Sequence, residues 1–279
     1  MAIGVISVGF AKLADLAQKG FGSLTSSGEW AFLLPLALTP LGFMLSAYLA
    51  ATLFPNPQGS GIPQAVAARH LRDEEYRTRL LSLKIAFGKI VLTVLGLFSG
   101  APIGREGPTV QVGAAIMLAV ARFSGMAQAR GLILAGSAAG IAAAFNTPLA
   151  GIVFAIEEMS RTYESRANGL VLTAVILSGL AALGISGSYN YFGMASAAPT
   201  ELRDWGLVLI CGIGGGALGA AFSGFALHFG QKIRRWAQPQ PLKRMLALAG
   251  ICGLARLSAP ATSRRELRSK AMPCLCSLR

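Results

Sequence analysis

The chain has 279 residues, of which 53% are hydrophobic and 13% charged, with a formal net charge of +13. A soluble domain carries about a quarter charged residues, so the polar surface needed to cover a water-soluble fold of this length is missing. An ordinary cytosolic enzyme, a disordered chain and a collagen-like chain do not fit, and the composition reads as an all-α, polytopic membrane protein.

Residues 2–19 read as an opening helix, with apolar side chains at Ile3, Val5, Ile6, Phe10, Leu13 and Leu16. No charged leader or cleavage motif of a secretory signal accompanies them. A long helix follows near 30–54, and a loop at 55–61 with Pro55, Pro57, Gly59 and Gly61 leads into a short helix after Pro63. The mixed basic and acidic segment 69–79 reads as a solvated loop. Further helices are expected near 80–98, 108–123, 129–143, 148–160, 167–185 and 203–235, and another begins near Leu242. No alternating pattern competes with helix, so a transmembrane barrel is not expected.

Charge is absent from 30–68, 90–104, 107–121, 131–156, 167–200 and 205–231. A spanning helix needs about 20 apolar residues, so several of these stretches can cross a bilayer. The stretches 90–104 and 107–121, broken around Pro102, Gly104 and Pro108, reach only partway. Interrupted backbone at membrane depth is tolerated only where protein or a water-filled cavity satisfies it. Broken helices of this kind point to a transport site.

The basic excess sits at the C-terminal end, where eleven Lys or Arg and the single acid Glu266 follow from residue 232 onward. This reads as a cytoplasmic, positive-inside segment near anionic headgroups. No aromatic interleaving supports nucleic acid as a partner. Cys211 and Cys252 lie in apolar helical stretches and read as small core residues, while Cys274 and Cys276 lie in the tail. With His70 and His228 as the two histidines, no structural zinc site or other cofactor is expected. Gly214, Gly216 and Gly219 satisfy a dinucleotide-type GxGxxG spacing, but Glu266 is the next acid and the surroundings are uncharged helix. Helix packing through small residues is the better reading there.

Three segments combine Gly, Pro and a polar residue within apolar surroundings: residues 59–63 (GSGIP), 104–108 (GREGP) and 140–158, with its FNTPLAG core. In the first two, Pro stands where a helix can begin. A helix start at membrane depth presents unpaired N–H groups and about half a positive charge. Two such starts converging would form an anion site without a buried Lys or Arg. Dipole ends, each worth roughly 0.3–2 kcal/mol, can hold an ion and still release it. Ser60 adds a hydroxyl donor. The competing reading is that these turns are only kinks, with Ser60 capping a helix.

Glu106 is an acid between two apolar segments, and an intramembrane acid is a functional hypothesis by default. At a helix start it could occupy the anion site when ionised and leave it when protonated. Its alternative is an interfacial acid paired with Arg105. Glu157 and Glu158 close the next apolar helix, where an ordinary pair of surface acids is the simpler reading. A helical wheel separates them by about 100°, so Glu158 could face the interior while Glu157 need not.

With these motifs in this order, the chain resembles the CLC family of chloride channels and proton/chloride antiporters. The resemblance rests on GSGIP at 59–63, GREGP at 104–108 and FNTPLAGIVFAIEE at 145–158, and extends over about residues 1–255. It implies transmembrane chloride transport of the antiporter type, with chloride and protons as the transported species and no enzymatic reaction. The implied setting is a bacterial inner membrane, with a homodimer for the full-length protein. By the same resemblance, Ser60 with Gly59 and Gly61, and Gly104, Arg105 and Gly107 around the second motif, form the chloride-binding set. Glu106 is the implied gating glutamate, and Glu158 the internal proton-transfer glutamate. The Ser of GSGIP matches the chloride branch of the family over its fluoride-exporting branch.

The family fold has two inverted repeats. Residues 1–190 correspond to the first and 200–255 to the opening helices of the second. After residue 200 no GxFxP-type helix start occurs, and after Tyr191 no tyrosine. The polar, basic segment 256–279 departs from the family pattern, as a truncation or frameshift would produce. A CLC-type channel and an inactive membrane fragment are the alternative functions. An intramembrane enzyme is more distant, with no nucleophile–base pair or metal cluster in the sequence.

Overall fold

The computed structural model describes residues 1–26, 34–54, 59–71, 73–125, 129–160, 165–187, 202–237 and 241–258. The loop at 55–58, the Arg256–Arg279 tail beyond residue 258, Cys274, Cys276 and Tyr191 lie outside them. Among the described residues all regular structure is helical: α1 (Ala2–Ser26), α2 (Leu34–Thr52), α3 (Ile62–His70), α4 (Glu74–Leu80), α5 (Leu83–Phe98), α6 (Glu106–Phe123), α7 (Ala129–Phe145), α8 (Pro148–Phe154), a π-helical turn (Ala155–Ser160), α9 (Ser165–Ser186), α10 (Leu202–Ala237) and α11 (Pro241–Ser258).

The centre of the bundle is α7, whose residues 132–144 are all buried. A helix that is apolar all round belongs inside a protein or a membrane, and α7 is covered by α6, α9, α8, α1 and α3. Small residues set its closest approach. Gly113 of α6 and Gly136 of α7 lie backbone against backbone, and a Cβ on Gly140 would stand 2.5 Å from the carbonyl of Thr109. Ser178 of α9 donates to the carbonyl of Ala139 at 3.0 Å, so a buried hydroxyl ties the next layer to α7.

Segments Leu34–Thr52, Glu74–Phe98, Gly169–Ser186 and Trp205–Ile233 are long and apolar enough to cross a membrane, while Arg130–Phe145 is a shorter apolar helix. The chain is a multi-pass membrane protein in which long spans surround short, interrupted helices.

Several expectations need correction. Segment 69–79 is not a solvated loop: Asp73 accepts from the Glu75 N–H at 2.9 Å and starts α4. Glu74 and Glu75 occupy its first turn and Arg77 and Arg79 its last, the arrangement that complements the helix dipole. Arg69 and Arg77 are buried, and Arg77 Nε donates to the Leu71 carbonyl at 2.8 Å, closing the end of α3. Cys211 and Cys252 are exposed rather than core residues, because an apolar helix can face lipid as readily as a core. Residues 214–219 lie within continuous helix, as read, but a Cβ built on Gly214, Gly215, Gly216 or Gly219 meets nothing within 4 Å. Their helix α10 lies at the edge of the bundle, with none of Trp205–Ile233 buried. Glycine-mediated packing operates at α6 and α7 instead.

Candidate anion site

The site begins with two glycines in the loop before α3. Gly59 and Gly61 have φ of 85° and 105°, values that only glycine adopts without strain. They turn the chain so that α3 starts at Ile62, with Pro63 in its first turn. The Gly61 N–H donates to Gln64 Oε1 at 3.1 Å, so this amide is satisfied within its own helix.

The second helix start is α6, which opens at Glu106, two residues before Pro108. The two starts meet directly. A Cβ on Gly107 would stand 2.6 Å from the Ser60 carbonyl oxygen, and one on Gly61 would stand 2.9 Å from the Gly107 carbonyl oxygen. No other residue type fits at either position without displacing the helices. The GSGIP and GREGP motifs, 45 positions apart from Ser60 to Arg105 in the sequence, thus form one contact.

A cavity of about 580 Å³ opens beside this contact, and Gly59, Ser60, Gly104, Gly107 and Pro108 form part of its wall. The Glu106 carboxylate folds back against Gly104, one of these lining residues. Thr109 Oγ1 donates to the Glu106 carbonyl at 2.5 Å and tightens the first turn of α6. The Arg105 guanidinium reaches α1, donating to Asp15 Oδ1 at 2.8 Å and to the Ala11 carbonyl at 3.1 Å.

Two cavity residues escaped the sequence reading. Lys89 of α5 is buried, lines the cavity and donates to the Gly59 carbonyl. Lys89 is a buried cation at this cavity that the sequence reading did not anticipate. Its signal was a lysine well inside α5, past Lys84 in the first turn, which is a site candidate in a membrane protein. Ser46 of α2 also lines the cavity, and its buried hydroxyl has no hydrogen-bond partner among the described residues. Together these groups offer an anion N–H donors at a helix start, hydroxyls and a buried positive charge.

The third motif combines a helix stop with a helix start. Asn146 has φ of 55°, and the Thr147 N–H donates to the Ala142 carbonyl at 3.1 Å. This is the six-to-one bond of a Schellman stop, and Pro148 then opens α8. The continuous helix expected over 148–160 is corrected: it changes to a π-helical turn at Ala155–Ser160. Glu157 and Glu158 are both exposed, so the inward-facing Glu158 expected from a 100° helical wheel is not found in this chain.

Comparison with known proteins gives a consistent family. The chain is 33% identical over 277 residues to the H(+)/Cl(-) exchange transporter ClcA of Salmonella typhi and to that of Salmonella typhimurium, an overlap of 93% of this chain and 56% of theirs. It spans little more than half the length of these curated relatives. A slow cyanobacterial Cl−/H+ antiporter superposes with a TM-score of 0.75 at 25% identity, over 93% of this chain and 62% of its own. A CLC-type fluoride/proton antiporter shares the fold, with a TM-score of 0.68 at 24% identity over 88% of this chain and 62% of its own. The sequence profile described as "Voltage gated chloride channel" matches residues 42–269. With that match covering most of its length, the chain belongs to the voltage-gated chloride channel (CLC) family.

Proposed function

We propose that this chain supplies the first half of a proton/chloride antiporter of a bacterial inner membrane, acting with the polypeptide that provides the remaining length of the family fold. The observation that carries this reading is the contact of two glycine-opened helix starts beside one cavity, with the Ser60 hydroxyl in its wall and the Glu106 carboxylate at Gly104. Chloride binds at Ser60 and at main-chain N–H groups around Gly59, Gly104, Arg105 and Gly107, with Lys89 supplying positive charge. Gly61 serves by permitting the close approach, since its N–H is held by Gln64. Glu106 gates the site and carries the proton, and Glu158 receives protons from the cytoplasmic side. The exchange named for the ClcA relatives and for the cyanobacterial structure supports the choice of ions.

Reconstituted in chloride-loaded liposomes, the transport-competent assembly is expected to take up protons against their gradient as chloride leaves. Chloride efflux with no uphill proton movement would instead identify a channel.

The binding contribution of Ser60 is modest. Ser60→Ala removes one hydroxyl donor worth about 0.5–1.5 kcal/mol, so chloride affinity by calorimetric titration should fall several-fold. Unchanged affinity and unchanged chloride-over-nitrate preference would leave Ser60 a helix-start residue only.

A further inference from the structure

Another buried cation lies away from the cavity. Arg69, the penultimate residue of α3, is 6% exposed. Its Nη1 donates to the carbonyl of Met159 at 2.7 Å, across 90 positions of sequence. Met159 is 1% exposed and sits in the π-helical turn directly after Glu158.

The last carbonyls of a helix have no partner within it, and a cation is favoured at that negative end. Arg69 meets both conditions at the 155–160 turn, where its guanidinium donates to the Met159 carbonyl near the end of the turn. A single-turn π-helix is an uncommon conformation that recurs at functional sites. The Arg69 bond is one of the contacts that hold it.

Helix α3 has nine residues and is about 13.5 Å long at 1.5 Å per residue. Its N-terminal end forms the Gly61–Gly107 contact beside the cavity. Its C-terminal end is fixed by Arg77 on Leu71 and carries Arg69 to the Glu157–Glu158 segment. One short helix therefore spans the distance between the anion cavity and the two acids.

We propose that Arg69 is a positioning residue for proton transfer: by holding the Met159 carbonyl it fixes the π-helical turn, and Glu158 with it, relative to the anion cavity. This inference rests on the reading of Glu158 as the proton-receiving group. Without the bond the turn relaxes, protons reach the gate less often, and chloride transport becomes less tightly coupled.

The test measures protons moved per chloride in liposomes for the transport-competent assembly, comparing Arg69→Met, Arg69→Lys and Glu158→Gln. Arg69→Met should lower the ratio several-fold, with proton flux falling more than chloride flux. Arg69→Lys, which keeps a charged donor, should recover most of it. Amide hydrogen exchange over 155–160 should rise in Arg69→Met and not in Arg69→Lys. Glu158→Gln should stop proton flux. A normal ratio in Arg69→Met alongside a proton-dead Glu158→Gln would overturn the role of Arg69 and leave that of Glu158 standing. An unchanged ratio in Glu158→Gln would overturn the reading of Glu158, and the inference with it. Equal loss of both fluxes in Arg69→Met without rescue by Arg69→Lys would show that Arg69 only supports the fold, which also overturns the proposal.

Discussion

Replacing Glu106 with Gln is expected to reduce proton-coupled exchange to the background of empty liposomes while chloride continues to move. Glu106 opens α6, where an ionised carboxylate is attracted to the same N–H groups that would hold chloride. When protonated it loses that attraction and leaves the site to the anion. The amide of Gln has nearly the same shape but carries neither charge nor an exchangeable acidic proton. The substitution therefore fixes the gate in its protonated form and removes the carrier. Simultaneous chloride-electrode and pH recordings check both points, and unchanged coupled exchange in the mutant would remove Glu106 from the mechanism.

The 279 residues expressed by themselves should show no Glu106-dependent chloride flux. Repeat-built transporters bind substrate between their repeats, and this chain spans 56% of the ClcA relatives. The 36-residue helix α10 has no burial over Trp205–Ile233. Its length, about 54 Å at 1.5 Å per residue, exceeds a hydrocarbon core of about 30 Å. Among the described residues α10 meets α11, yet no position of Trp205–Ile233 is buried by it. Interrupted backbone near α3 and α6 would meet lipid, at a cost of several kcal/mol for each unsatisfied group. Purified protein in liposomes, assayed beside Glu106→Gln, gives the answer. Robust flux lost on that substitution would show that these residues build a complete pathway alone.

Much of the helical layout was legible because uncharged runs and Gly-Pro punctuation report directly on burial and on helix ends. Residues 59–63 and 104–108 announced helix starts, and α3 and α6 begin there. Their mutual contact could not be read, since it depends on Gly61 and Gly107 approaching across separate helices. Helix α4 was missed although Asp73, Glu74 and Glu75 followed by Arg77 and Arg79 form a capped, dipole-matched sequence. High charge by itself suggests solvent, whereas Arg77 uses its charge to close α3. Lys89 directly precedes the uncharged run 90–104, so a reading by charge places it outside the apolar segment although it is buried. The facing of Glu158 failed for a different reason. A π-helical turn changes the angular step that the wheel assumes, and no residue pattern in 155–160 announces that change.

The central claim is that the paired starts of α3 and α6 create the anion site. The most direct measurement is anomalous diffraction from bromide-soaked crystals of the transport-competent assembly, since bromide substitutes for chloride and can be located without ambiguity. The account predicts a bromide peak in the cavity lined by Gly59, Ser60, Gly104 and Gly107, within hydrogen-bonding distance of Ser60 Oγ. Peaks confined to other parts of the protein, with this cavity empty at saturating bromide, would contradict it.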